Sequence, residues 1–224
     1  MRDAEKGHAR TAGRDTGNKV TSVRPILYSF RRCPYAMRAR LALASARSTV
    51  VLREILLRDK APELLQASPK GTVPVLVTGM QVIDESLDIM HWALSRHDPE
   101  GWLDMPAEGH DLIARCDNEF KPALDAYKYK DDPDARTRAT TFLHELNMRL
   151  SPNLFGKSPT LADMAIITFV RQFAFVDKPW FDAQDWPDLS SWLQNFIASR
   201  RFTSIMKKYP VWQTGDPVTL FPNP

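Results

Sequence analysis

The sequence predicts a mixed α/β unit followed by an all-helical unit. Short apolar runs alternate with helix-forming stretches between residues 25 and 97. Beyond the Pro- and Gly-containing breaks at 98–101 and 105–109, helical periodicity dominates and no good strand pattern follows. A chain of 224 residues is long enough for one large domain or two small ones.

The first unit is predicted to have the order β-α-β-α-β-β-α. Apolar runs indicate its strands, and stretches rich in Ala, Leu, Met and Arg favour helices. Gly79 lies between two short apolar runs, which is typical of a hairpin. In chain order the predicted elements are strand 25–30, helix 34–46, strand 50–57, helix 62–66, strand 73–78, strand 81–83 and helix 86–97.

The second unit is predicted to be helical throughout. A capping box indicates one helix start, because Thr160 can cap the helix and Asp163 can reach back to the Thr160 amide. The proline-rich tail is not expected to be helical, and it either folds back over the domain or hangs free. The predicted helices span 110–130, 134–150, 160–175 and, as one or two helices, 190–208. We therefore divide the chain into a flexible N-terminal extension (1–22), an α/β domain (23–98), a helical domain (107–212) and a C-terminal tail (213–224).

Composition and charge exclude several classes of protein. The chain is 43% apolar and 25% charged, which is ordinary for a globular protein. No apolar stretch approaches the ~20 residues that a membrane helix needs, and residues 1–22 contain no apolar core typical of a secretory signal. The net charge of +3 is carried by the first 24 residues, so no broad nucleic-acid-binding face is expected. No zinc-ligand spacing or Gly-rich phosphate motif is present, and the histidines suggest no metal site.

Cys33 is the strongest candidate for chemistry. It lies where a strand ends and a helix begins, and Pro34 suits the first helical position, which makes Cys33 the N-cap. The helix N-terminus and the adjacent Arg31 and Arg32 would favour the thiolate, which is the nucleophilic form. A Cys-x-x-Cys redox motif would have a second cysteine three residues after Cys33, but Ala36 stands there, so no internal disulfide can form. A covalent intermediate would therefore be a mixed disulfide with a thiol from another molecule. The alternative is a buried cysteine that acts as a small hydrophobe.

The second cysteine, Cys116, lies within a predicted helix and is interpreted as structural. Two cysteines cannot make a disulfide framework, so this usage fits a reducing compartment. We therefore expect a cytoplasmic protein.

Three other segments could bind an extended ligand with charged ends. Pro74 is tolerated at a strand start or after a cis Val73–Pro74 bond, which would turn the Val73 N–H and C=O outward. Ser86 can cap the following helix and attract a carboxylate, while Glu85 could accept hydrogen bonds from an ammonium group. Lys60 could meet a second carboxylate. Each segment also has a purely structural explanation: an edge-strand proline, plain capping or a solvated lysine.

Taken together, these segments resemble the cytosolic glutathione S-transferase superfamily. The resemblance implies a thioredoxin-like α/β N-terminal domain and an all-α C-terminal domain. Cys33-Pro34-Tyr35-Ala36 is most similar to the cysteine-type, omega-like members, and residues 117–121 and 127–129 are similar to bacterial relatives of that kind. The other segments that match in order and spacing are Thr72-Val73-Pro74-Val75-Leu76, Asp84-Glu85-Ser86 and Ser158-Pro159-Thr160-Leu161-Ala162-Asp163.

The resemblance implies a set of site residues and partners. Glutathione is the expected co-substrate, with no metal, and Cys33 is the expected catalytic residue. The chain is expected to form a homodimer and to bind neither nucleic acid nor membrane. The expected glutathione-binding residues are Cys33, Tyr35, Lys60, Val73, Pro74, Glu85 and Ser86. A second-substrate pocket is expected between the two units. Helical phase predicts that Phe120, Tyr127 and Phe173 line it, and the position of Tyr35 next to Cys33 predicts that Tyr35 does so too.

Because the Cys33-Pro34-Tyr35-Ala36 segment holds one cysteine, it favours glutathione-dependent thiol transfer through a Cys33–glutathione mixed disulfide. Such an enzyme would remove glutathione from adducts, or reduce disulfides or dehydroascorbate-like compounds. One alternative is conjugation of glutathione to apolar electrophiles. Another is a non-catalytic binding module with the same fold. Cys33 discriminates between them, since only thiol transfer strictly needs its sulfur.

Overall fold

A five-stranded mixed sheet organises the first unit. The computed structural model describes residues 24–130 and 132–223, so the predicted N-terminal extension lies outside the described residues. The strand order is β4-β3-β1-β2-β5, in which β1 and β2 run parallel and the other neighbouring pairs are antiparallel. The strands are β1 (Ile26–Ser29), β2 (Val50–Glu54), β3 (Val75–Val77), β4 (Val82–Ile83) and β5 (Leu220–Phe221).

Helices cover both faces of this sheet. The helices are α1 (Pro34–Ser45), α2 (Pro62–Ala67) and α3 (Ser86–Leu94), which confirms the predicted order of the first unit. Alternate side chains of a strand point to opposite faces. Accordingly, Leu27 and Leu76 join the large core with α1 and α3, while Tyr28 and Val75 pack with Leu64 of α2.

The second unit is helical and is built around one buried helix. That helix is α7 (Leu161–Ala174), in which all but Arg171 and Gln172 are buried. Thr160 and Asp163 form the predicted capping box at its start. Within residues 24–130 and 132–223, no helix is both long and apolar enough to cross a membrane. The remaining helices are α4 (Ala107–Arg115), a π-helical turn (Cys116–Phe120), α5 (Lys121–Tyr129), α6 (Ala135–Arg149), α8 (Lys178–Asp182), α9 (Pro187–Ala198) and α10 (Arg200–Ile205).

The C-terminal tail folds back onto the first unit. Its strand β5 pairs antiparallel with β2, with Val50 opposite Phe221. Immediately before the tail, the Trp212 N–H donates to the backbone carbonyl of Glu54 at 2.8 Å. The expectation that no strand follows the first unit is therefore wrong. This strand is only two residues long, so its pairing with β2 defines it rather than any local pattern.

A buried arginine joins the two units. Arg38, on α1, is 0% exposed and donates from Nε to the carbonyl of Ala165 on α7 at 2.8 Å. Its two terminal nitrogens donate to the two carboxylate oxygens of Asp117, at 2.9 and 2.6 Å. Asp117 belongs to the π-helical turn, so α1 is fixed to two elements of the helical unit.

Candidate active site

Cys33 lies at the N-terminus of α1, as predicted. Its backbone is extended (φ −77°, ψ 123°), and Pro34 is the first helical residue. The Cys33 N–H donates to the Phe30 carbonyl at 2.9 Å, which closes the turn after β1. The Cys33 Sγ donates to the Val73 carbonyl at 3.6 Å. The thiol is partly exposed and opens into a cleft between the two units.

Burial dominates the electrostatics of this thiol. Burial raises the pKa of Cys33 above its ordinary value, because the charged form loses hydration. Backbone N–H groups of Ala36 and Tyr35, and the charges of Lys121 and Arg40, lower the same pKa by less. The prediction that the thiolate is favoured is therefore wrong for this structure. The thiol form predominates at neutral pH and can donate its hydrogen to Val73.

The charged neighbours of Cys33 differ from those expected. The Arg31 N–H donates to a carboxylate oxygen of Glu54, and its guanidinium donates to the Met206 carbonyl. Arg32 is exposed and lies over the Phe30 ring. The cations that act on Cys33 come instead from Lys121 and Arg40. Neither is adjacent to Cys33 in the chain, so only the tertiary fold reveals them.

The segment opposite Cys33 contains Val73 and Pro74, for which a cis peptide bond was one of two predicted possibilities. The Val73–Pro74 bond is cis. Within residues 24–130 and 132–223, the Val73 N–H has no hydrogen-bond partner. The carbonyl of Val73 faces the Cys33 sulfur. This backbone group is therefore able to pair with an extended ligand next to the thiol.

Lys60 lies near the same segment. It is exposed, and its ammonium group lies 3.2 Å from where a β-carbon on Gly71 would be. Gly71 has φ +60°, a backbone conformation that favours glycine. Lys60 also lines a separate cleft whose other wall is the tail around Trp212. It is thus close to the Val73 segment but does not line the Cys33 cleft.

Glu85 and Ser86 mark the start of α3. Glu85, not Ser86, is the N-cap, and Ser86 is the buried first helical residue, so the predicted capping role of Ser86 is wrong. Glu85 is exposed and accepts from the Lys70 ammonium at 2.7 Å. Lys70 also donates to Asp84 at 3.0 Å, and Asp84 accepts from Ser68 at 2.7 Å. A ligand ammonium group at Glu85 would therefore share that carboxylate with Lys70.

The cleft in front of Cys33 has a volume of about 730 Å³. Tyr35 lines it, as predicted by its position next to Cys33, and packs edge-on against Phe169 with ring centroids 4.8 Å apart. Burial, assisted by the charge of Asp117, raises the pKa of Tyr35 to about 12, so its phenol stays neutral. The lining residues are Phe30, Arg32, Cys33, Pro34, Tyr35, Leu57, Lys121, Asp125, Lys128, Tyr129, Lys130 and Gln172.

The other three aromatic residues expected in this cleft lie elsewhere. Phe120 and Phe173 are buried in the helical core, with ring centroids 5.8 Å apart. Tyr127 packs against Phe173 at 5.3 Å. These apolar rings are instead buried against one another, which removes their surface from water. Helix α5 presents Lys121 and Lys128 to the cleft.

Comparisons with known proteins agree with this architecture. A model of the glutathione S-transferase N-terminal domain matches residues 27–101, and a model of the C-terminal domain matches residues 112–195. No curated protein sequence matches the chain.

Solved glutathione transferases have a similar fold. A trimeric glutathione transferase from Leishmania is 23% identical, covers 82% of this chain and has a TM-score of 0.69, but this chain covers only 46% of it. Glutathione transferase Omega 3C from Trametes versicolor is 17% identical, with 80% and 82% of the two chains covered and a TM-score of 0.69. A family member from Pseudomonas fluorescens with two glutathione molecules bound is 16% identical, with 82% and 92% covered and a TM-score of 0.70.

Proposed function

Because this chain belongs to the glutathione S-transferase family, we propose that it is a glutathione-dependent thiol transferase that acts through Cys33. The observation that carries the proposal is the Cys33 thiol itself. It lies at a helix N-terminus, opens into the cleft and lies 3.6 Å from the Val73 carbonyl. The other cysteine, Cys116, is fully buried, and burial raises its pKa well above the ordinary range.

Glutathione would lie along the segment opposite Cys33. The cysteinyl backbone of glutathione would pair with Val73, whose N–H has no partner within the described residues. The γ-glutamyl end would reach Glu85 and Ser86, and the glycine carboxylate would meet Lys60. Lys60 lies close to Gly71, near the cis Val73–Pro74 peptide, and Glu85 and Ser86 mark the start of α3. The ligand sulfur would then lie near the Cys33 sulfur.

The reaction would proceed in two disulfide exchanges. The Cys33 thiol first loses its proton to solvent, and the resulting thiolate is stabilised by Lys121 and the N–H groups of Tyr35 and Ala36. This thiolate attacks the glutathionyl sulfur of a mixed disulfide, forms the Cys33–glutathione disulfide and releases the acceptor as a thiolate. A second glutathione, as its thiolate, attacks the glutathionyl sulfur of that disulfide. Oxidised glutathione leaves, and the Cys33 thiolate is restored.

The protonation state of Cys33 favours one alternative, conjugation of glutathione to an electrophile. A thiol with a raised pKa can donate a hydrogen bond to the thiolate of bound glutathione, as a hydroxyl would. In that case Cys33 would remain unmodified, and a serine in its place would preserve activity.

Intact-mass measurement after incubation with oxidised glutathione tests the proposal. We expect one glutathione adduct on the wild type and on Cys116→Ala, and none on Cys33→Ala. The absence of an adduct, or an adduct on Cys116, would contradict thiol transfer. If no adduct forms, glutathione conjugation that survives Cys33→Ser would support the transferase alternative. Failure to bind reduced glutathione would support a non-catalytic module.

We also propose that the protein acts as a cytoplasmic homodimer. The edge strand β4 and the turn before it expose apolar side chains, with Val82 at 46% and Met80 at 98% exposed. Exposed apolar groups at a sheet edge suit an interface between chains. Light scattering coupled to gel filtration measures the mass, and a monomer at micromolar concentration would contradict the dimer.

A further inference from the structure

The cleft in front of Cys33 is lined by more cations than anions. Arg32, Lys121, Lys128 and Lys130 line it together with one carboxylate, Asp125. Asp125 pairs with Lys121. Within residues 24–130 and 132–223, no carboxylate lies within ion-pair distance of the other three cations. The described lining therefore carries an excess of positive charge.

Aromatic rings hold two of these cations without neutralising them. The Arg32 guanidinium lies 5.3 Å from the centroid of the Phe30 ring. The Lys128 ammonium lies 4.9 Å from the centroid of Tyr129. The face of an aromatic ring attracts a cation but bears no net charge. Arg32 and Lys128 are thus positioned at the cleft while their charge remains available to a ligand.

A polar group in the same cleft also has no partner. The side-chain carbonyl oxygen of Gln172 is buried, and it has no hydrogen-bond partner within the described part of the chain. A buried polar atom is destabilising until it is hydrogen-bonded. A ligand with an N–H or O–H group would satisfy it. The cleft therefore suits a polar anionic ligand better than a purely apolar one.

We propose that this cleft selects acceptors that carry carboxylate groups close to the sulfur that is exchanged. The inference rests on the proposed thiol transfer and adds the class of acceptor to it. When Cys33 attacks the glutathionyl sulfur, the acceptor leaves as a thiolate and its negative charge increases. Lys128, Lys130 and Arg32 would stabilise both the bound acceptor and this leaving group.

Two mixed disulfides of glutathione provide a matched test. One carries 3-mercaptopropionate and the other carries its neutral amide, 3-mercaptopropionamide, so the two differ mainly in charge. We expect kcat/KM of the wild type to be about tenfold higher for the carboxylate probe at low ionic strength, which corresponds to one close charge pair at a protein surface. The preference should fall as salt is added, because salt screens exposed charges.

Variants that neutralise cleft lysines test whether these residues cause the preference for the carboxylate probe. Lys128→Gln with Lys130→Gln changes two exposed side chains, so the fold should be retained. We expect kcat/KM of this double variant for the carboxylate probe to fall about three- to tenfold, with little change for the amide probe. Lys157→Gln removes an exposed lysine outside the cleft and should change neither rate.

Any one of three results would overturn the inference. The first is that the wild type turns over the amide probe as fast as the carboxylate probe. The second is that the double variant loses activity equally on both probes, and the third is that Lys157→Gln has the same effect as the double variant. In each case Cys33 would still form its glutathione adduct, so the proposed function would stand. If neither probe modifies Cys33, both the inference and the proposed function fail.

Discussion

Two arginine–carboxylate pairs in this protein share a geometry but differ in burial, so their removal should have different effects on stability. Arg38 donates two hydrogen bonds to Asp117, and their side chains are 0% and 24% exposed. Arg115 donates two hydrogen bonds to Glu145, at 2.8 and 2.7 Å, and their side chains are 42% and 32% exposed. Breaking a buried pair typically costs about 3–5 kcal/mol, because the remaining charge stays buried. An exposed pair contributes about 0–1 kcal/mol.

The isosteric substitutions Asp117→Asn and Glu145→Gln isolate the charge in each pair. Asparagine keeps one acceptor for Arg38, so we expect Asp117→Asn to lower the free energy of unfolding by about 2–3 kcal/mol. Glu145→Gln should lower it by less than about 1 kcal/mol. Urea denaturation followed by tryptophan fluorescence measures both, and an unchanged m-value would show that the denatured state is unaffected. Equal losses in the two variants would refute the reasoning from burial.

Three further predictions follow from single sites. Alkylation of Cys33 by iodoacetamide needs the thiolate, so its rate should keep rising above the pH at which an ordinary cysteine levels off, and Lys121→Gln should shift this profile to still higher pH. A profile that levels off at or below that pH would contradict the raised pKa. Asp163→Ala should lower the free energy of unfolding by about 3 kcal/mol in urea, because the buried N–H groups of Leu154 and Thr160 lose their acceptor; a loss below about 1 kcal/mol would contradict this. Trp212→Ala should cost about 1–2 kcal/mol and speed proteolysis of the tail, since the Arg53 guanidinium lies 3.9 Å from the Trp212 ring centroid; unchanged proteolysis would show that β5 alone holds the tail.

Local signals predicted the elements and the position of the thiol. The break between a strand and a Pro-led helix located Cys33 at the start of α1, and the spacing of Thr160 and Asp163 located the start of α7. Each of these features depends on residues a few positions apart. The strand β5 could not be predicted in this way, because its two residues become a strand only by pairing with β2.

Two of the corrections at the site concern features that only the folded chain determines. Neighbours in the sequence suggested a Cys33 thiolate, whereas burial by the folded chain raises the pKa of the thiol and Lys121, from a distant helix, partly offsets it. Aromatic residues were expected to line the cleft, whereas α5 presents Lys121 and Lys128 to it and Phe120 and Phe173 are buried in the helical core. Cys33 therefore lies in front of a cationic cleft as a thiol. The proposed thiol transfer requires a deprotonation that Lys121 favours, while Arg32, Lys128 and Lys130 at the same cleft would attract an anionic acceptor.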